Sequence, residues 1–288
     1  MKIKGELEET LSRRFNRTIK IVGAGRTDAG VHATNQAFHF DLFPEDIKIK
    51  GANSTENKGN KNHEESRNQK KEFCALLQYA LNSMLRDDIR VWNLCEAPPP
   101  ALVTISDGTE RKFRWHVIYD SMKKLYTYRL SIEPEALTYD PLERFSRVHV
   151  EGNIDHKKLE KVLKHFEGTH DFRAFSGAIE ANQRKAGIEK KDTVRTVYSV
   201  ELIPEGGGKY RIEILLKGAL YKMVRNIVGT ALEVSKGRME EERMLQMLHH
   251  NDCEDGKTQF VRKDNKCKPA HPEGLTLEKV FYDDSDDF

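Results

Sequence analysis

Cysteine is scarce: four residues in 288, at positions 74, 95, 253 and 267, with no C-x-x-C pair among them. That argues against a zinc ribbon and against a disulfide scaffold, and isolated thiols fit a reducing compartment. Long apolar runs are missing as well. None approaches the roughly 18 residues that cross a bilayer, and the N-terminus turns acidic by Glu6, unlike a signal or transit peptide. Nor does one charge predominate. Lys and Arg total 48 against 46 Asp and Glu, a net charge of +2, and the pI near 8.2 falls short of a wholly basic nucleic-acid-binding domain. Any nucleic-acid footprint must therefore be a local patch. The length admits one large or two modest domains, with enough chain to bury a core.

What the chain does contain is one dense stretch, Val22-Gly-Ala-Gly-Arg-Thr-Asp-Ala-Gly-Val-His-Ala33. It reads as an active-site loop centred on Asp28. Alternation of polar and apolar residues predicts a strand over 18–22 before it and another over 36–42 after it. The glycines at 23, 25 and 30 permit positive φ and close backbone approach. Gly23-x-Gly25 after a strand invites comparison with a dinucleotide fingerprint. That motif needs a third glycine where Asp28 stands and a helix where a strand follows, so it fails twice. No Gly-Lys-Ser/Thr closes the stretch, which excludes a phosphate-binding Walker loop. Asp28, His32 and His39 as metal ligands stay open as an alternative, although loop Asp and strand His residues commonly carry no metal.

Gly25-Arg-Thr-Asp-Ala-Gly-Val-His32 resembles the signature of the TruA family of tRNA pseudouridine synthases, and further segments follow in that family's order. They are Lys124-Leu-Tyr-Thr-Tyr-Arg129, Gly168-Thr-His-Asp-Phe-Arg-Ala-Phe175, Met223-Val-Arg-Asn-Ile-Val-Gly229 and Pro272-Glu-Gly-Leu275 with the strand-like 277–282. The resemblance covers most of the chain from about residue 6 to 282. It implies that Asp28 is the catalytic carboxylate and that Arg225 pairs with it across a cleft between two halves. A cation beside a carboxylate orients it and favours its charged form, as a nucleophilic or basic Asp requires. By the same resemblance Tyr126 stacks on the target uracil and Leu275 lines the pocket. His32 joins them as a substrate-binding residue. Arg26, two residues before the carboxylate, is the candidate to occupy the space the base vacates.

In chain order, Leu7, Leu11 and Phe15 mark an amphipathic helix over 6–15. In the family a strand and an aromatic-rich loop precede this helix, where here only Met1 to Gly5 stands, so the N-terminus reads as truncated. Residues 51–70 hold one alanine and nothing larger that is apolar, which predicts a disordered insertion. A helix at 73–84 and a strand at 89–94 follow, and Pro98-Pro-Pro100 ends the first half. Tyr126, Tyr128 and Leu130 share one face of a strand. A third helix at 154–166 has Asp155 as N-cap, and strands at 193–203 and 210–217 flank a Gly-rich connection. The basic stretch 183–191 suits either a solvated loop or phosphate contacts. Val224, Ile227, Val228 and Ala231 form one stripe of a helix that packs on a sheet. A further helix spans 239–250, a polar connection spans 251–269, and residues 283–288 form an acidic tail. Together these predict an α+β fold of two related halves, 1–112 carrying the Asp28 loop and 113–288. Each half is a mostly antiparallel sheet with helices on one face, with the active-site cleft between them.

The reaction implied is isomerisation of uridine to pseudouridine in tRNA, in or near the anticodon stem-loop, after extrusion of the base. It is redox-neutral, so no cofactor and no metal is expected. The partners expected are tRNA and, from the family, a second copy of the chain in a homodimer; no membrane association is expected. The compartment expected is cytoplasm or an organellar matrix. A non-catalytic RNA-binding paralogue stands as the alternative.

Overall fold

The computed structural model describes residues 2–47, 63–104, 109–132, 140–177, 179, 192–249 and 260–283. By contacts the chain forms two compact units, Met1–Ala24 with Ala37–Asp120 and Gly25–Gln36 with Ser121–Phe288. The loop carrying Asp28, read from sequence as part of the first half, thus packs with residues of the second.

In the first unit, α1 (Ile3–Phe15) turns Leu7 and Leu11 inward and ends where Asn16 takes a left-handed conformation, a common helix stop. Helix α2 (His63–Met84) contributes Leu77 and Leu81, and these four residues, with Ile19, Ile21, Leu85 and Val91, form one apolar cluster. Of the insertion read as disordered, residues 63–70 are instead the first turns of α2; they extend its helical register, and residues 51–62 lie outside the described residues. The strands expected around the loop shrink to two-residue pieces, β1 (Val22–Gly23) paired with β3 (Phe38–His39). Residues 18–21 form no strand because side chains of α1 take their backbone donors: Ile19 N–H donates to Ser12 Oγ (2.9 Å) and Ile21 N–H to Glu8 Oε1 (3.1 Å). The strand expected at 89–94 is absent for the same reason. Asn82 both donates to the Val91 carbonyl (2.7 Å) and accepts from its N–H (2.8 Å), and Gln78 accepts from Leu94 N–H (3.0 Å). Apolar alternation there reflects packing against a helix, not a neighbouring strand. Two short strands, β4 (Ala101–Thr104) and β5 (Glu110–Phe113), pair antiparallel in the same unit.

The second unit is built on a seven-stranded sheet. Its strands are β2 (His32–Ala33), β6 (Lys123–Ser131), β7 (Val148–His149), β8 (Gly168–Asp171), β9 (Val194–Gly206), β10 (Lys209–Leu216) and β11 (Leu275–Phe281). Their order is β2-β11-β6-β10-β9-β8, with β7 alongside the end of β6. Pairing is antiparallel except for β2 on β11 and β7 on β6. The β9–β10 turn needs Gly206, Gly207 and Gly208, all at positive φ. Three helices pack beside the sheet, α3 (His156–Lys164) on β9, α4 (Met223–Ser235) on α3, and α5 (Glu241–His249) on β8. Asp155 caps α3 by accepting from Lys157 N–H (3.0 Å) and Lys158 N–H (3.1 Å). All four stripe residues of α4 are buried, as are Phe166, Phe172 and Phe175. The architecture is α+β. Among the described residues no helix is long and apolar enough to cross a membrane. The basic stretch 183–191 lies outside the described residues.

Candidate active site

Asp28 opens a four-residue turn in which Val31 N–H donates to the Asp28 carbonyl (3.1 Å). Gly30, its third residue, has φ +81°, the conformation a type II turn requires there. A side chain at 30 would also press on Pro272 Cγ at 3.0 Å. Gly30 is the only glycine of the loop at positive φ. Gly25 serves close approach instead: a Cβ there would sit 3.3 Å from the Lys124 ammonium, a buried group whose pKa burial lowers.

Downstream, the turn runs into β2, which pairs in parallel with Thr276 and Leu277 of β11. Thr34 N–H donates to the Leu277 carbonyl (3.0 Å) and Thr34 Oγ1 to Glu278 Oε2 (2.7 Å). The same carboxylate accepts from Thr127 Oγ1 (2.6 Å) and Arg129 Nη2 (3.0 Å). Burial alone would raise the Glu278 pKa, but the bonds from Thr127 and Thr34 and the Arg129 charge outweigh it, and the net shift is downward from 4.5. One carboxylate thus ties the end of the Asp28 loop to two strands. A depressed folded-state pKa means that this contribution is complete above the unfolded value and is lost as pH falls through the folded one. Glu278→Gln should therefore cost about 1–2 kcal/mol at pH 7, a gap that closes on acidification. Urea denaturation of both proteins from pH 7 down to pH 3 measures it, and a gap independent of pH would refute the assignment.

The Asp28 carboxylate meets a guanidinium. Arg225, on the first turn of α4, donates from Nη1 to Asp28 Oδ2 at 2.6 Å, 197 positions away in sequence. Both side chains are largely shielded, 12% exposed for Arg225 and 18% for Asp28. Arg225 Nε donates in turn to the Ala270 carbonyl (2.7 Å), so two faces of one rigid group are occupied.

The remaining sequence-derived residues distribute over neighbouring strands. Tyr126 lies on β6 opposite Ile214 of β10 and Leu277 of β11, buried, with its hydroxyl pKa pushed up to about 12 by desolvation. Leu275, also buried, opens β11 opposite Tyr128 and not opposite Tyr126. His32 is exposed on β2, its Nε2 against the Phe145 carbonyl. Arg26 is exposed on the loop. Direct contact therefore joins Asp28 to Arg225, while His32, Leu275 and Tyr126 occupy three adjacent strands, β2, β11 and β6. Sequence reading missed Glu278 and Ala270. A lone carboxylate in the strand-like run 275–281 was the available sign of the first; the second acts through its backbone and carries none.

Fold and site together define a class, an α+β protein in which one shielded loop carboxylate is held by a guanidinium. A family model described as tRNA pseudouridine synthase matches residues 162–283. The chain is 32% identical over 267 residues to tRNA pseudouridine synthase A 1 of Protochlamydia amoebophila, covering 92% of this chain and 80% of that protein. It is 32% identical over 280 residues to tRNA pseudouridine synthase A 2 of Bacillus cereus, covering 97% and 89%. With tRNA pseudouridine synthase A of Staphylococcus aureus the identity is 29% over 284 residues, covering 99% and 84%. The chain belongs to the TruA family of tRNA pseudouridine synthases.

Proposed function

We propose that the chain converts uridine to pseudouridine in tRNA, in or near the anticodon stem-loop, with Asp28 as nucleophile at the sugar or as base. The bond between N1 and the sugar breaks, the freed base turns, and a bond from C5 to the sugar replaces it. The C5 proton is lost to solvent and N1 gains one, so atoms and electrons balance with no oxidant or reductant. The observation that carries the reading is the 2.6 Å pair of Asp28 with Arg225, held in the same compact unit as Tyr126 and Leu275.

A paired base must first leave its stack, at a cost of a few kcal/mol that the pocket repays. Tyr126 supplies the aromatic face, an uncharged phenol whose ionisation burial pushes further out of reach. Leu275 lines the pocket and His32 contacts the substrate. Arg26, exposed two residues before the carboxylate, fills the space the base leaves. Two copies of the chain share one RNA as a homodimer. No metal or cofactor is called for by a redox-neutral rearrangement.

The test is tritium release from unmodified tRNA transcripts labelled at uridine C5. Release into water, with pseudouridine then mapped to the anticodon arm by carbodiimide adducts, is the expected result. Salt-sensitive tRNA binding with no release would make the chain a non-catalytic RNA-binding paralogue, and product confined to another arm would overturn the site assignment alone.

A further inference from the structure

Gly229 stands one helical turn after Arg225 on α4. A Cβ built there would lie 2.2 Å from the Lys268 carbonyl oxygen and 3.0 Å from Ala270 N, both backbone atoms. The missing side chain is what lets the segment Lys268–Ala270 lie against the helix. From that position Ala270 N–H donates to the Arg225 carbonyl (2.8 Å) and the Ala270 carbonyl accepts from Arg225 Nε (2.7 Å). Guanidinium donors lie in one rigid plane, so fixing Nε fixes where Nη1 points. It points at Asp28 Oδ2.

The segment is itself held. Asn265 Nδ2 donates to Thr230 Oγ1 (3.0 Å), and Asn265 Oδ1 accepts from Cys267 N–H (3.1 Å). Arg262 donates to the Cys267 carbonyl (2.6 Å) and to that of Asn265. Pro269 and Pro272 restrict the backbone on either side of Ala270 and His271. We propose that Gly229 and the strap Lys268–Ala270 are positioning elements that aim Arg225 at Asp28, acting on the chemistry through Arg225 alone. The proposal rests on the reading of Asp28 as the reactive carboxylate.

Gly229→Ala should lower kcat by about ten- to a hundredfold, the scale expected of a misplacement near 1 Å, with KM for tRNA unchanged. In an Arg225→Lys background, where the rigid fork is gone, Gly229→Ala should lower kcat no further. Pro269→Gly, which loosens the strap without a clash, should behave alike and carries the test if Gly229→Ala does not fold. Solvent exchange of the Arg225 Nε proton, followed by nitrogen-15 NMR, gives a readout independent of turnover: slow in the wild type and fast in both strap variants. Equal fold-losses in the two backgrounds, or an Nε proton as protected in the variants as in the wild type, would overturn the proposal. Should the wild type release no tritium while the exchange pattern holds, the functional reading falls and the aiming role stands.

Discussion

Asp28→Asn should reduce tritium release by about ten-thousandfold, the upper end of what a positioned base contributes, while tRNA affinity changes less than threefold. Asparagine keeps the shape and can still accept from Arg225, so the 2.6 Å contact survives as a neutral one. What disappears is the charge that, in the mechanism proposed above, attacks the sugar or takes the proton. Arg225→Met removes the other partner and leaves a carboxylate only 18% exposed without its cation. Without that cation the carboxylate is no longer oriented and its charged form is less favoured, so this variant should lose about two to three orders of magnitude in kcat. The double variant should fall little below Asp28→Asn, because the group that Arg225 still holds there is no longer a reactive carboxylate. Single-turnover rates with labelled tRNA decide it. A double variant whose losses multiply would mean that Arg225 acts on the substrate independently of Asp28.

That pair shows where sequence reading reached its limit. Helical spacing showed that Val224, Ile227, Val228 and Ala231 face a core, and all four are buried. Periodicity said nothing of which loop Arg225 addresses; only the family resemblance named Asp28, 197 positions away. The parallel pairing of His32–Ala33 with Thr276–Leu277 left no trace in either segment, since two-residue strands carry no pattern. Alternation misled at 18–21 and 89–94, where a run that looks like a strand finds its hydrogen bonds on Ser12, Glu8, Asn82 and Gln78. Side-chain amides, hydroxyls and carboxylates can replace a neighbouring strand, and hydropathy does not register them. The glycines divided as well. Gly30 alone of the loop's three serves the left-handed conformation, and Gly25 matters for the approach of Lys124. Sequence shows that a residue is glycine; the neighbours show why.

Gly274→Ala should be among the most destabilising single-methyl changes in the chain, and the same change at Gly5 should act in the opposite direction. Gly274 ends the short turn Pro272–Gly274 that leads into β11, and its φ lies outside the positive region, so alanine meets no strain of its own. The obstacle is space. An added Cβ would lie 2.8 Å from Tyr128 Cζ, 3.0 Å from the Arg129 carbonyl oxygen and 3.0 Å from Val148 Cγ2. None of the three yields readily. Tyr128 is 1% exposed, and Arg129 belongs to β6, which has β10 on one side and β11 on the other. Overpacking of this kind costs about 1–3 kcal/mol or more, against under about 1 kcal/mol gained by restricting the unfolded chain. The net loss of roughly 2 kcal/mol should lower Tm by about 4–8 °C. It should reach the site too, because Leu275 is the next residue and Pro272 rests on Gly30 of the Asp28 turn. Gly5, by contrast, lies in α1 with nothing within 4 Å of an added Cβ. Alanine there should stabilise by about 0.5–1 kcal/mol through helix propensity alone. Calorimetry on the two variants reads both signs in one experiment. A Gly274→Ala protein as stable as the wild type would mean that the start of β11 shifts freely, and that Leu275 is not held in a fixed place beside Tyr128.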